Sequence, residues 1–519
     1  MVLLIHPPVT KPSEPPAGIA KLCGALNHHG IDYEVLDANL EGLLGLLKTS
    51  PVPSDTWTSR AHRHVSEHLA SLRCWNAYQE DGRYRRAIKD LNRIIEMAAC
   101  SARVRVGLAN YEHEELTPTR STDLLRAAET PENNPFYPYF EQRLKDLLKN
   151  HQPSFIGFSL NYLTQALCTF AMIGFLRQKC PRTKLVLGGG LITSWMRKPF
   201  WKNPFDGLVD HFVAGPGEAP LLSLLGIIPS SDHRYTPNYD SLPVRNYFAP
   251  GPILPYSASG GCYWNNCSFC PERAEGNRYV AVPAGEVTGD LLRLADKKKP
   301  VLIHLVDNAI SPSVMKAMIK CPSEVPWYGF ARFTRHLTEL DFCLALKRSG
   351  CLMLKLGLES GDQTVLDALR KGIDLKEVSS ALENLKKAGI ATYVYLLFGT
   401  PPEGLVEARR TLDFVVKHQD GIDFLNLALF NMPSNAPEAR QMETKSFYEG
   451  DLSLYTGFDH PQGWSRSLIR QFLDKEFKRH PAIGPILRRD PLVFTSNHAP
   501  FFVMDKETKR KGDQGMRRR

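Results

Sequence analysis

Three of the chain's eleven cysteines lie in Ser259-Gly260-Gly261-Cys262-Tyr263-Trp264-Asn265-Asn266-Cys267-Ser268-Phe269-Cys270-Pro271, with the spacing C-x4-C-x2-C. The stretch follows the apolar run Ile253-Leu254-Pro255-Tyr256, which predicts a buried strand. Three thiolates on one short loop can bind three corners of an iron–sulfur cube and leave the fourth iron without a protein ligand. The sequence therefore predicts a cluster with one open iron, held where a strand ends.

The composition is that of a globular protein of two or three domains, since 519 residues exceed one ordinary core. No apolar run reaches the length of a membrane span, and Pro7-Pro8 interrupts the apolar N-terminus, which has no basic leader. The other eight cysteines are scattered, which favours a reducing, cytoplasmic location over a disulfide framework.

The net charge is +9, and residues 505–519 contain seven Lys or Arg against three Asp or Glu. We interpret this segment as a basic disordered tail. No aromatic-interleaved basic stripe accompanies it, so we expect no nucleic-acid partner and, with no apolar span, no membrane partner.

The first part of the chain alternates strand-like and helix-like segments. The predicted strands are Val2–Ile5, Tyr33–Asp37, Phe155–Leu160, Lys184–Gly190 and a strand around Phe212. Between the second and third lies a helical insertion, about residues 50–140, in which Tyr84, Ile88, Leu91 and Ile95 share one face. These features predict a doubly wound, Rossmann-like α/β domain over residues 1–236.

Ligands bind such sheets beyond the carboxyl ends of the strands. That rule selects a set of mostly small residues as a candidate site: Ser159, Leu160, Gly188, Gly189 and Gly190. The dinucleotide fingerprint G-x-G-x-x-G is absent from the first turn.

A proline-spaced linker, Pro237–Pro255, precedes six further strand–helix units. The predicted strands are Ile253–Ser257, Val301–Val306, Trp327–Arg332, Leu352–Leu358, Thr392–Phe398 and Phe424–Leu429. Six units predict a partial TIM barrel over residues 237–435, in which chemistry lies where strands end. Beside the cysteine loop, that rule selects Asp307, Asn308, Arg332, Glu359, Phe398 and Gly399. Residues 436–504 are expected to form a C-terminal extension that covers the barrel mouth.

A structural zinc site is the alternative interpretation of the cysteine trio. Zinc takes four ligands, and the nearest further candidates, His211 and His304, do not form a second ligand pair. At this point both a cluster and a structural metal site in a non-catalytic protein stay open.

The cysteine stretch resembles that of the radical S-adenosylmethionine (SAM) enzymes, whose norm is C-x3-C-x2-C with an aromatic residue, here Phe269, before the last cysteine. The extra residue after Cys262 resembles the variant G-C-Y-W-x-x-C-x-F-C of a subgroup with N-terminal cobalamin-binding domains. Leu356-Gly357-Leu358-Glu359-Ser360-Gly361 is similar to that family as well, and the resemblance extends from residue 1 to about 440.

The resemblance implies a 4Fe–4S cluster on Cys262, Cys267 and Cys270, with SAM on the open iron and an electron donor such as flavodoxin or ferredoxin. Reductive cleavage of SAM would give methionine and a 5′-deoxyadenosyl radical, which abstracts hydrogen from an unactivated carbon.

The matching positions also imply roles around SAM. Asp307 with Asn308 would hold the methionine amino group, and Arg332 would contact the carboxylate. Glu359 would contact the ribose and methionine part, while the turn at Phe398-Gly399 would bring backbone close to adenine.

In the first domain, the resemblance implies a cobalamin site at Ser159, Leu160 and Gly188–Gly190, where small residues let backbone approach the corrin. The D-x-H-x-x-G element is absent, and His28 and His29 are predicted to face solvent. A bound cobalamin would therefore lack a protein histidine on its lower face.

Three hypotheses follow: a cobalamin-dependent methyltransferase acting on sp3 carbon, a radical SAM enzyme performing a cyclisation or rearrangement, or a non-catalytic metal-site protein. No residue identifies the substrate, which we expect to be a small molecule or a peptide.

Overall fold

The computed structural model describes residues 1–49, 55–100, 103–199, 201–229, 234–445, 449–494 and 498–503, and the predicted tail 505–519 lies outside these ranges. The chain divides into two compact units. The first contains residues 1–252 with the short segments 449–454 and 492–494, and the second contains the described residues from 253 to 445, 455 to 491 and 498 to 503.

The first unit is built on a parallel five-stranded sheet of order β2-β1-β5-β6-β7. The strands of the first unit are β1 (Val2–His6), β2 (Tyr33–Asp37), β3 (Val104–Val106), β4 (Tyr111–His113), β5 (Phe155–Ser159), β6 (Lys184–Gly188) and β7 (His211–Phe212). Strands β3 and β4 form a separate two-stranded hairpin. All five residues of β1 are buried, as expected for a strand covered on both faces. The doubly wound α/β class is confirmed.

Helices surround this sheet and form most of the insertion between β2 and β5. They are α1 (Ala17–His28), α2 (Ala38–Lys48), α3 (Thr56–Arg63), α4 (Val65–Leu72), α5 (Asn76–Gln79), α6 (Asp81–Ala99), α7 (Ser121–Glu129), α8 (Tyr137–His151), α9 (Leu163–Lys179), α10 (Gly190–Met196) and α11 (Glu218–Leu224). The predicted face of α6 is buried at Tyr84, Ile88, Leu91 and Ile95. The hairpin was not predicted, because strands of three residues show too little alternation to stand out within a helical segment.

The second unit contains a parallel six-stranded sheet of order β15-β14-β13-β12-β11-β8, which is the expected partial barrel. Its strands, together with short antiparallel pairings, are β8 (Ile253–Tyr256), β9 (Ser259–Gly260), β10 (Val280–Ala281), β11 (Leu302–Leu305), β12 (Trp327–Ala331), β13 (Cys351–Glu359), β14 (Ala391–Phe398), β15 (Phe424–Leu429), β16 (Met432–Pro433), β17 (Thr444–Lys445) and β18 (Tyr455–Phe458).

The helices of the second unit follow the strands in alternation. They are α12 (Pro271–Ala274), α13 (Ala284–Lys298), α14 (Pro312–Lys320), α15 (Leu340–Arg348), α16 (Gln363–Ala368), α17 (Leu375–Ala388), α18 (Leu405–Lys417), α19 (Arg466–Phe472) and α20 (Ile483–Arg489). Asp374 caps α17 through the backbone N–H groups of Lys376 and Glu377, and Gly389 ends it in the left-handed conformation. Across the described ranges, no helix combines the length and apolar character needed to cross a bilayer.

The boundary between the units lies after Pro252, whereas the sequence places it at residues 236–237. The difference arises because the linker packs on the first unit. The Asn238 N–H donates to the Ala20 carbonyl (2.8 Å), the Phe248 N–H donates to the Pro12 carbonyl (2.7 Å), and Tyr239 is buried. The proline-rich segment is therefore ordered and belongs to the first unit.

The C-terminal residues are divided between the units instead of forming one separate extension. Within the second unit, Phe472 and Phe477 pack against Phe398, with ring centroids 6.1 and 5.4 Å away. The Arg466 guanidinium donates to the Phe430 carbonyl at 3.0 Å. This part of the extension therefore covers the carboxyl ends of β14 and β15.

Candidate functional site

The cysteine loop begins where β8 ends, as predicted. Gly260 pairs with Val280 in the short β9–β10 ladder, and Gly261 follows with φ +68°. A Cβ at Gly261 would lie 2.5 Å from the Arg278 carbonyl oxygen, so the turn into Cys262 requires glycine. None of the three cysteines forms a disulfide, and Cys267 is the most buried of them.

Asp307, at the end of β11, holds the first residues of this loop. Its Oδ2 accepts the Ala258 N–H at 3.0 Å, and its Oδ1 accepts the Ser259 hydroxyl at 2.5 Å. The carboxylate is buried, whereas Asn308 is exposed. The structure thus gives Asp307 a local partner, and its role toward a methionine amino group stays a prediction.

The segment Leu369–Gly372, which follows α16, clamps the cysteine loop from a distance of about a hundred residues in the chain. The Ser268 N–H donates to the Leu369 carbonyl (3.0 Å), and the Trp264 indole N–H donates to the Arg370 carbonyl (3.1 Å). Gly372 has φ +65°, and a Cβ there would overlap the Trp264 ring. Sequence reasoning missed this segment, because nothing local marks it as a partner of the cysteines.

Arg332 follows β12 and is buried against the same loop. One guanidinium nitrogen donates to Cys267 Sγ at 3.7 Å, and another donates to the Lys371 carbonyl. The guanidinium carbon lies 4.6 Å from the centre of the Trp264 ring, a cation–π arrangement. Arg332, predicted from its position at a strand end, therefore contacts a cysteine of the loop.

Glu359 ends β13 in the left-handed conformation, with φ +68°, where the pairing register with β14 shifts. Its Oε1 accepts the Lys371 ammonium at 2.7 Å, and both side chains are largely buried. The same ammonium lies 5.6 Å from the centre of the Phe269 ring. A Cβ at Gly357 would overlap the Glu359 carboxylate, so this position needs a glycine to make room for the pair.

The predicted adenine turn, Phe398-Gly399, is covered from the protein side. A Cβ at Gly399 would lie 2.5 Å from Ile469 Cδ1, and the Gly399 N–H donates to Glu403 Oε2. The Phe398 side chain is fully buried, and its carbonyl accepts the Phe430 N–H at 2.8 Å. Contact of this turn with adenine stays a prediction.

Several residues near the strand ends of the second unit are partly exposed. Toward the carboxyl ends of β12, β13 and β14 every second side chain is partly exposed, while the alternate ones are buried. The partly exposed set is Phe330, Gly357, Glu359, Tyr395 and Leu397. The rings of Phe330 and Tyr395 lie 5.1 Å apart, so an aromatic wall adjoins the Glu359–Lys371 pair.

In the first unit, the predicted residues meet at one sheet edge, where Ser159 pairs with Gly188. Asn161, which sequence reasoning missed, joins the two loops. Its Nδ2 donates to Ser159 Oγ (3.0 Å), and its Oδ1 accepts the Gly190 N–H (2.9 Å). Gly189 has φ +110°, and a Cβ there would overlap the Leu160 carbonyl. Packing between the loops therefore already requires this glycine.

The model of the radical SAM superfamily matches residues 256–415. The matched segment is less than a third of the chain. It begins at the last residue of β8 and contains all three cysteines, Arg332 and the Glu359–Lys371 pair.

Curated relatives cover part of the chain. An uncharacterized methyltransferase of Pyrococcus horikoshii is 26% identical over 199 residues, which is 37% of this chain and 43% of the relative. Bacteriochlorophyllide d C-12(1)-methyltransferase of Chlorobaculum tepidum is 24% identical over 202 residues, again 37% and 43%. The matched region thus spans less than half the length of these relatives.

Two solved structures share the fold beyond the matched segment. One is the radical S-adenosylmethionine methyltransferase TsrM of Kitasatospora setae, solved with tryptophan substrate and a SAM analog: TM-score 0.51, 15% identity, 86% of this chain and 79% of that chain. The other is the cobalamin-dependent S-adenosylmethionine radical enzyme OxsB with aqua-cobalamin and S-adenosylmethionine: TM-score 0.52, 14% identity, 99% and 61%.

The chemistry of the cysteine loop, with three free thiols, fits three-thiolate ligation. Burial raises the pKa of Cys267, against which the charges of Lys371 and Arg332 act, and burial raises the pKa of Cys270 to about 11. Thiols of this kind become thiolates when a positively charged metal group replaces the proton. Among the described residues, no three His, Cys, Asp or Glu side chains are arranged to hold a single metal ion.

Proposed function

We propose that the chain is a radical SAM enzyme that methylates an unactivated carbon with the help of cobalamin. The observation that carries the proposal is the trio of free cysteines after the first strand of a partial barrel, with Arg332 bound to the sulfur of Cys267. A match to the superfamily over this same segment supports it. When bound, a 4Fe–4S cluster with SAM supplies a 5′-deoxyadenosyl radical, and methylcobalamin supplies a methyl group.

The chain's own residues hold and shield these groups. Cys262, Cys267 and Cys270 would bind the cluster, and Asp307 fixes the start of their loop. Glu359, held by Lys371, places a carboxylate at the end of β13, where a polar part of SAM would bind. The aromatic wall at Phe330 and Tyr395 would exclude water from a small-molecule or peptide substrate.

Cobalamin is assigned to the first unit because its sheet edge offers backbone and small side chains. Gly190 is exposed there, and a Cβ at this position would meet only ordinary contacts. His28 and His29, which the sequence predicts to face solvent, are not among these residues. His28 is exposed, and His29 lies within hydrogen-bond distance of the Tyr235 hydroxyl, at 3.0 Å. A histidine that the sequence reasoning did not consider lies at this edge: His6 ends β1, is buried, and has its Nε2 3.1 Å from the Thr10 hydroxyl.

Replacing one cysteine tests the radical SAM assignment. In Cys262→Ala, reconstituted under anaerobic conditions, we expect loss of the broad absorbance near about 400 nm. The rate of SAM-dependent 5′-deoxyadenosine formation should fall by more than about 100-fold. Loss of a residue that only supports a metal ligand already costs about 10- to 100-fold, and loss of the ligand itself should cost more. Cys321→Ala is the matched control, because Cys321 is exposed and lies outside the loop. Unchanged 5′-deoxyadenosine formation in Cys262→Ala would reject the assignment.

A cyclisation or rearrangement is the second candidate, favoured by the absence of the D-x-H-x-x-G element from the sequence. Corrinoid that copurifies with the protein, together with labelled methyl moving from SAM to product, would support methylation. A product of unchanged carbon count would support the second candidate. Cytoplasmic location and a flavodoxin- or ferredoxin-type donor are part of the same proposal.

A further inference from the structure

Arg332 is a buried cation whose described partners include no carboxylate. Its exposed fraction is 7%, and its contacts are the sulfur of Cys267, the carbonyl of Lys371 and the ring of Trp264. No Asp or Glu within the described ranges pairs with it. Lys371, a nearby cation in the clamp, does have a carboxylate partner, because Glu359 pairs with it at 2.7 Å.

A buried cation without a counter-ion is strongly unfavourable, so a negative group is expected beside it. Among the described residues, the titratable atom that Arg332 contacts is Cys267 Sγ. A cluster bound through Cys267 would place negative charge where the guanidinium points. The geometry of Arg332 therefore matches the loaded state of the loop.

We propose that Arg332 tunes the cluster, raising its reduction potential through the N–H···S bond and the full positive charge beside Cys267. Hydrogen bonds to the sulfurs and nearby charge are recognised determinants of iron–sulfur potentials. An added electron increases the negative charge on the cluster and its sulfurs, so an adjacent cation stabilises the reduced form more than the oxidised form. This inference rests on the proposed function and makes Arg332 a positioning residue.

The clamp holds Arg332 in this orientation. Trp264 stacks on the guanidinium and is itself held by the Arg370 carbonyl, while the Lys371 carbonyl accepts a second guanidinium N–H. Two of the three contacts of Arg332, the Lys371 carbonyl and the Trp264 ring, belong to groups that also fix the cysteine loop. The cysteine loop and the clamp therefore set the orientation of the guanidinium, without a contribution from bound SAM.

Contact with the SAM carboxylate, the role expected from sequence, makes a different prediction for the same residue. A carboxylate contact would set the affinity for SAM and leave the potential of the SAM-free cluster unchanged. A bond to Cys267 sets the potential of the SAM-free cluster.

The test is a potentiometric titration of the reconstituted cluster without SAM, followed by electron paramagnetic resonance. In Arg332→Met we expect the ratio of reduced to oxidised cluster at a fixed potential to fall about tenfold, a shift of about 59 mV for one electron. Arg332→Lys keeps the charge but loses the planar fork, so it should shift less in the same direction. Arg335→Met, which removes a charge from a side chain 88% exposed, should titrate as wild type.

A wild-type potential in Arg332→Met overturns the inference, and a weakened SAM affinity with that unchanged potential assigns the residue to the carboxylate instead. If Arg332→Met does not fold, by circular dichroism of the apoprotein, Arg332→Lys decides: an unchanged potential overturns the inference. Failure of the wild-type chain to assemble any cluster would instead overturn the proposed function, so the two failures are distinct.

Discussion

Glu403 has the lowest exposure of the carboxylates that the structure describes, at 0%. One oxygen accepts the Gly399 N–H, and the other has no hydrogen-bond partner within the described ranges. The Trp464 indole N–H lies beside it without the geometry of a full hydrogen bond, although it still opposes the pKa shift. Burial dominates and raises the pKa of Glu403 to about 8, so this side chain is largely neutral at pH 7.

This proton makes stability depend on pH. The unfolded pKa is near 4.5, so the contribution of Glu403 is fully present below that pH and is lost as pH rises through about 8. Glu403→Gln should remove the dependence. Between pH 5 and 7.5, the unfolding free energy of wild type should fall relative to the variant by about 1.4 kcal/mol per pH unit. Denaturant unfolding of both proteins measures this, and a constant difference would contradict it.

At the scale of elements, the clamp Leu369–Gly372 is the surface on which the cysteine loop is built. Gly372→Ala should push the Trp264 ring out of place and cost about 1–3 kcal/mol beyond the backbone strain. Gly276→Ala is the matched control, because Gly276 has φ +69° and a Cβ there would have no heavy atom within 4 Å. Both variants bear the strain of a left-handed residue, and only Gly372→Ala disturbs the clamp.

The measurement is iron retained after gel filtration with a chelator, alongside denaturant unfolding. We expect Gly372→Ala to lose iron faster than wild type and Gly276→Ala to match it. Equal iron retention in the two variants would mean that the clamp does not support the loop.

Elements of the parallel sheets could be predicted because buried strands are continuous apolar runs, and Phe424–Leu429 was predicted with its observed bounds. The rule that chemistry lies at strand ends also placed Arg332 and Glu359 near the cysteines. Their partners could not be predicted in the same way. Lys371 and Arg370 reach the site from a turn with no pattern of its own, and the bond from Trp264 to Arg370 spans 106 residues.

At the scale of the whole molecule, the two proposed cofactor sites lie within separate units, so their loading should be separable. Gly189→Ala, which overlaps the Leu160 carbonyl, should lower copurified corrinoid and leave iron content unchanged. Cys262→Ala should do the reverse. Gly207→Ala, at φ +78° with free space around it, should retain both. Corrinoid and iron assays on the three proteins check this, and joint loss of both cofactors in Gly189→Ala would contradict it.

The return of residues 449–454 to the first unit has a consequence for how the protein is made. The Thr119 hydroxyl donates to the Glu449 carbonyl (2.7 Å), and the Ser121 N–H donates to Asp451 Oδ1 (2.9 Å). Leu492 closes the same unit by accepting the Tyr84 hydroxyl at 3.2 Å. Ribosomes usually let N-terminal domains fold first. In this chain the contacts made by residues 449–454 and 492 can form only after the second unit has been translated, so an N-terminal unit that folds first does so without them.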